Sequence, residues 1–151
     1  MKKEVLDALK TLRINDAFLL ESDVHERTIG ARLACYLAPH FPTYDVDVEY
    51  NRHGLASKRV NLPVDCGGGG DKLIVPDVIV HKRNNDDDNL LVIQIKKKTN
   101  HEPRECDRVI VEAMMQYFHY TCGLLIELPA GKGAAEREPE LKWLERVENC
   151  H

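Results

Sequence analysis

Residues 75–100, VPDVIVHKRNNDDDNLLVIQIKKKTN, constrain this chain more than any other stretch. Two short apolar runs flank a polar tip that carries three consecutive aspartates. Apolar runs this short, bounded by turn residues, suit strands better than helices. Joined by such a tip they predict a hairpin. The second run is apolar on successive residues, so that strand should be buried on both faces, and a sheet buried on both faces needs helices for cover. Three polar side chains interrupt the pattern. Asp77 opens the first run, and Gln94 and Lys96 close the second. Residues two apart on a strand point to the same face, so Gln94 and Lys96 project together. An ammonium at the end of a buried strand is costly without a partner or a task. A hairpin brings Asp77 alongside, and a plain Asp–Lys ion pair at the sheet rim is the simplest account of the three.

Elsewhere the periodicities predict two helices, three strands, a helix, a strand and a helix. Residues 2–13 carry Val5, Leu6, Leu9 and Leu12 at helical spacing, and NDAFLL breaks that pattern. ESDVHERTIGARLACYLAPHFP reads as the next helical segment, with Ser22 or Asp23 as its cap and Pro39 as its stop. TYDVDVEYNR alternates, Tyr44, Val46, Val48 and Tyr50 against Asp45, Asp47, Glu49 and Asn51, which is the period of a half-buried strand. Gly67–Gly70 lose too much backbone entropy on ordering to favour regular structure, so residues 53–72 read as a mobile loop. Pro76 belongs at a strand beginning or edge. Pro103 opens the helix of PRECDRVIVEAMMQYFHYT. CGLLIELP is a fourth strand after a break at Gly123, and LKWLERVENC a C-terminal helix presenting Leu141, Trp143, Leu144 and Val147. A hairpin followed by a helical crossover gives a mixed four-stranded sheet flanked by helices.

A chain of 151 residues suits one domain, residues 1–151, with its own core. No apolar stretch is long enough to span a bilayer, and Glu4, Asp7 and Lys10 interrupt what would be a signal sequence, so no membrane partner and a cytoplasmic location are expected. Five cysteines are an odd number without a CxxC or CxxH pair, which argues against a disulfide framework and a structural zinc; most are expected reduced. A net charge of −4 disfavours a nucleic-acid coat but leaves room for a local basic patch.

The segments PDVIVH and QIK resemble the PD-(D/E)XK phosphodiesterase superfamily, the restriction-endonuclease-like nucleases, and VDVEYNR, PDVIVHKR and LLVIQIKK are similar to small stand-alone microbial members of it. The resemblance covers roughly residues 20–128. It implies an α/β fold with an αβββαβ core, to which the N-terminal and C-terminal helices would be additions. It implies a nuclease that uses magnesium or manganese: Asp77, Gln94 and the carbonyl of Ile95 as ligands, Lys96 serving the attacking water and phosphate, and Glu26 in HERTIGARL as a supporting acid. Carboxylates suit such hard cations, which lower the pKa of a bound water and neutralise charge on the phosphate. Gln94 departs from the pattern, because an Asp or Glu belongs there and an amide brings no charge. Glu26 is then the compensator, with Glu21, Asp47 and Glu49 as alternatives. Gln116 and Tyr120, four apart in MMQYFHY, resemble the Q-x-x-x-Y element of the superfamily's exonucleases; a packed amide and aromatic would look the same.

Arg52, Arg83, Lys97 and Lys98 are candidates for a patch that meets phosphate, or a solvated strand end. The DDD tip lacks EF-hand spacing, the glycine run lacks the lysine and helix of a phosphate loop, and the seven histidines lack ligand spacing. His81 falls near the expected rim. Three functions follow: a metal-dependent nuclease acting on nucleic acid, DNA first; an inactive relative that binds nucleic acid or a protein partner, with a homodimer as one form; or a defence or regulatory component that works inside a complex.

Overall fold

A computed structural model describes residues 1–50, 52–53, 56–57, 59–63, 66 and 71–146, with backbone alone at 52–53, 56–57, 59–61 and 71–73. Helix α1 (Lys2–Asn15) buries Val5, Ala8, Leu9 and Leu12. Leu6, expected on that stripe, is 52% exposed because it lies one step off the buried row. A short α2 (Ala17–Glu21) follows, and then α3 (Glu26–Leu37). Its cap is His25, whose Nδ1 accepts the Arg27 N–H at 3.1 Å. Ser22 and Asp23, the expected caps, lie in the preceding turn, where Asp23 adopts φ 53°. Ile29, Leu33 and Leu37 carry the buried face of α3.

Strand β1 (Asp45–Val48) follows, then two small antiparallel ladders, β2 (Arg52–His53) with β3 (Ala56–Ser57) and β4 (Arg59–Asn61) with β5 (Asp71–Leu73). The structureless loop expected at 53–72 is therefore partly paired, since local ladders satisfy backbone donors without needing a core. Gly67–Gly70 and the glycine-loop reading lie outside the described residues.

The principal sheet is completed by β6 (Val78–His81), β7 (Leu91–Lys97), β8 (Cys122–Leu128) and β9 (Glu140–Glu145), in the order β1-β6-β7-β8-β9. Neighbours are antiparallel except β7 and β8, which are parallel and joined across helix α4 (Arg104–Tyr117). Pro76 precedes β6, where its missing donor costs no ladder bond. The architecture is mixed α/β, a five-stranded sheet flanked by helices.

The fifth strand corrects the sequence reading. LKWLE spaces its apolar residues ambiguously between the two periods. In the fold Leu141 and Trp143 pack on one face of the sheet and Leu144 on the other. Pairing with β8 covers an edge that is apolar on both faces, and Glu140, Lys142 and Glu145 leave a charged outer edge. Val147 lies outside the described residues.

Val78, Val80, Leu91, Ile93, Ile95, Leu124 and Ile126 meet α1 and α3, whereas Ile79 and Val92 meet α4. Gly123 lies inside β8 and breaks nothing. A Cβ there would stand 2.3 Å from Val111 Cγ1 and 2.9 Å from Met115 Sδ, so glycine lets α4 lie close on the sheet. Among the described residues no helix is long and apolar enough to cross a membrane.

The cysteines also depart from expectation. Cys66 and Cys106 form a disulfide with Cα atoms 5.2 Å apart, and Cys122 is disulfide-bonded too. Spacing alone carried no sign of this, because the 40-residue separation is closed by the fold.

Candidate active site at the open end of the hairpin

Alternation along β6 and β7 puts Asp77, Gln94 and Lys96 on the face shared by Ile79 and Val92, under α4. The register that pairs Val78 with Ile93 carries on to set Asp77 opposite Gln94. There the two strands clasp each other through side chains. Asp77 Oδ2 accepts the Ile95 N–H at 2.7 Å, and Gln94 Oε1 accepts the Asp77 N–H at 3.0 Å. An amide oxygen makes that bond as well as a carboxylate would and adds no charge beside Asp77.

Burial pushes the Asp77 carboxyl up to about 6, and the charges of Glu26 and Asp107 add to it; the Ile95 N–H and Lys96 pull the other way without prevailing. Asp107 was not anticipated. It lies one turn before Val111 on the buried stripe that continues through Met114, Met115 and Phe118, and an acid at the head of an apolar stripe was the available signal. Burial and Glu26 raise its pKa, against Lys96 and Arg104. Its Oδ2 is buried without a hydrogen bond, although Lys96 Nζ stands 3.4 Å away as an ion pair.

Lys96 Nζ donates to Glu102 Oε2 at 3.1 Å. Burial opposes its charge, but Glu102, Asp107 and Glu26 overcome that and raise its pKa. Glu26, the first residue of α3, reaches the same end of the sheet from the other layer. Its Oε1 accepts the Lys97 N–H at 3.0 Å and Asn100 Nδ2 at 3.1 Å. Arg104 braces the neighbourhood, donating to the Lys97 carbonyl at 3.2 Å and to Glu127 at 3.3 Å. Beside these groups opens a cleft of about 250 Å³ whose lining includes Gln94, Lys96, Arg104, Asp107, Glu127 and Lys142.

Other sequence candidates are not brought here. Arg83 and His81 stand at the opposite end of β6, both engaged with Asp47, and Arg83 also donates its backbone N–H to Asp45. Glu49 pairs with Arg27 at 2.6 Å, and Glu21 is exposed. Lys97 Nζ pairs with Asp23 and Lys98 with Glu140, so with Arg83 they form no common phosphate-facing patch; the Arg52 side chain lies outside the described residues. Gln116 and Tyr120 do not share a helix face. Helix α4 ends at Tyr117, His119 turns the chain with φ 59°, and Tyr120 is buried in the core while Gln116 is exposed. Gln116 also lies roughly 13 Å along the axis from Asp107.

The donors at this end are carboxylate and carbonyl oxygens, the kind magnesium and manganese take. Among the described residues no three His, Cys, Asp or Glu side chains converge as a metal cage. Glu26 and Asp107 nevertheless add negative charge around the buried Asp77, and Asp107 Oδ2 has only the Lys96 ion pair and no hydrogen bond, so a cation would relieve charge at this end. Comparison with protein-family models, curated proteins and solved structures finds no match for this chain.

Proposed function

We propose that this chain is a metal-dependent phosphodiesterase of the restriction-endonuclease-like type, acting on nucleic acid and on DNA first. The observation that carries the reading is the carboxyl of Asp77, lifted to about 6 beside Lys96 and Gln94 at the end of a buried hairpin. Structural ion pairs lower an acid's pKa, whereas Asp77 is raised chiefly by its burial and further by Glu26 and Asp107, the kind of perturbation that clusters at working sites. Asp77 would hold magnesium or manganese, with Gln94 and the Ile95 carbonyl as neutral donors. Glu26 and Asp107 supply the charge that Gln94 lacks. The bound cation would lower the pKa of a water and neutralise the phosphate. Lys96, anchored by Glu102 and Asp107, meets the charge that develops on the phosphate oxygens. Gln94 fixes the Asp77 backbone, so its substitution for an acid preserves the clasp at the expense of cation affinity.

One observation favours a second reading, a nuclease-fold protein that binds nucleic acid or a protein without cleaving. Lys96 is already neutralised by Glu102 and Asp107. Titration calorimetry with manganese and magnesium, run beside Asp77→Ala and followed by hydrolysis assays on single- and double-stranded DNA and RNA, separates the two. Manganese binding that Asp77→Ala abolishes, with cleavage of one substrate, is the expected result. Binding by Gln94→Glu alone, with a silent wild type, overturns the catalytic reading in favour of the second.

A further inference from the structure

The Cys66–Cys106 bridge closes a loop of chain that carries much of the site. Asp77, Gln94, Lys96 and Glu102 all lie within the loop it closes, and Cys106 immediately precedes Asp107 in the first turn of α4. That turn needs external support. Pro103 stands at its cap position and makes no side-chain capping bond, so the first amides of α4 lack the partner a Ser or Asp would give. Side chains hold it instead: Arg104 to the Lys97 carbonyl and Glu127, Asp107 to Lys96, and the disulfide. Only the last is covalent, and neither of its cysteines is fully buried. Cys66 lies between β4 and β5, and β5 leads within four residues to Asp77, so the bond ties both approaches to the site together.

We propose that the Cys66–Cys106 disulfide is a redox switch on the candidate site: closed, it holds the first turn of α4 and Asp107 against Lys96; open, it releases them. The step needs a dithiol reductant. One thiolate attacks a bridge sulfur to form a mixed disulfide, and the second thiol resolves it. Two electrons and two protons end on Cys66 and Cys106 as thiols, and the reductant leaves as its own disulfide. An oxidising disulfide of the same class reverses it. In a reducing compartment the bond then reports the arrival of oxidant, and in an oxidising one it is permanent. The inference goes beyond the phosphodiesterase reading, because it concerns the geometry of the site whatever the site does.

The test follows amide hydrogen exchange in oxidised and dithiothreitol-reduced protein. Mass shift on alkylation verifies the state, with the exposed free Cys35 as internal standard. The Asp107 and Arg108 amides report directly, since they lie at the start of the helix that the bond holds. Reduction should speed their exchange by about tenfold or more, while α1 amides hold their rates. Cys66→Ser should give the fast rates with or without dithiothreitol, which separates this bridge from that of the fully buried Cys122. Unchanged Asp107 and Arg108 amides in wild-type protein whose Cys66 and Cys106 are shown reduced would overturn the switch. That comparison decides even if Cys66→Ser fails to fold. Manganese titrations of both states keep the two claims apart: binding in neither state counts against the phosphodiesterase reading and leaves the exchange result standing.

Discussion

Strand β6 has an aspartate at each end of its environment, and the two are treated in opposite ways. At one end Asp47, across on β1, takes a two-pronged contact from Arg83, Nε at 2.9 Å and Nη2 at 2.5 Å, and lies 2.7 Å from His81 Nε2. Burial works against its charge, but Arg83 and His81 prevail and hold the carboxyl below its usual range. At the other end Asp77 has one backbone donor and two acidic neighbours, and burial prevails. Both are acids beside the same hairpin. One is a finished structural ion pair, and the other is left with charge to spare. The difference teaches that an acid's partners, more than its position on the hairpin, separate a rim salt bridge from a working group.

The sharpest way to break this comparison is to neutralise each aspartate in turn. Asp77 has a folded pKa above its unfolded value, so the native state binds more protons between pH 3.8 and about 6, and stability falls as pH rises through that window. Asp77→Asn keeps an acceptor for the Ile95 N–H and removes the penalty. It should raise stability at pH 8 by up to about 3 kcal/mol and leave it nearly unchanged below pH 4. Asp47 has the opposite sign: its contribution is present above the unfolded pKa and is lost as pH falls through the folded one. Asp47→Asn should therefore cost about 2 kcal/mol at pH 8, because it strands Arg83 and His81. Urea unfolding of both variants at pH 4 and pH 8 checks the pair. Destabilisation by both at pH 8 would erase the contrast.

A smaller effect sharpens the same end. Gln94→Glu retains an acceptor for the Asp77 N–H and places a second charge beside Asp77. It should tighten manganese binding about tenfold and lower the metal-free stability at pH 8 by roughly 1 kcal/mol. Calorimetry and unfolding in chelator read the two quantities separately. A variant that loses stability without gaining affinity would place any cation elsewhere.

The hairpin of this comparison was legible from sequence, because its runs and tip allow little else. So were Asp77, Gln94 and Lys96 as one cluster, since strand period and antiparallel pairing are enough to gather them. What escaped depends on the third dimension. Asp107 lies 30 residues from Asp77 and joins the site only because α4 crosses over the sheet, and nothing in DRVIVEAMM says which end of the helix meets a lysine. Arg83, Lys97 and Lys98 look like one basic surface in sequence because charge is visible and partners are not; Asp47, Asp23 and Glu140 account for them. LKWLE reads as helix or strand alike because five residues fit two periods, and only the open edge of β8 decides between them. The Cys66–Cys106 bridge was hidden for the same reason as Asp107, to which it is adjacent.

The finest distinction between the two ends is how far each feels α4. Asp107 is one of the charges that raise Asp77, and it does not figure among the influences on Asp47. Asp107→Asn preserves shape and removes that charge, so the Asp77 pKa should fall from about 6 toward the ordinary range. Lys96 should lose part of its stabilisation as an ion, and its raised pKa should fall too. Carbon-detected NMR titration of aspartate carboxyls reads Asp77 and Asp47 in one experiment. A shift confined to Asp77 makes Asp107 part of the site's electrostatics. Equal shifts at both would mean that the substitution acts through the fold as a whole, and the contrast between the ends would then lose its local cause.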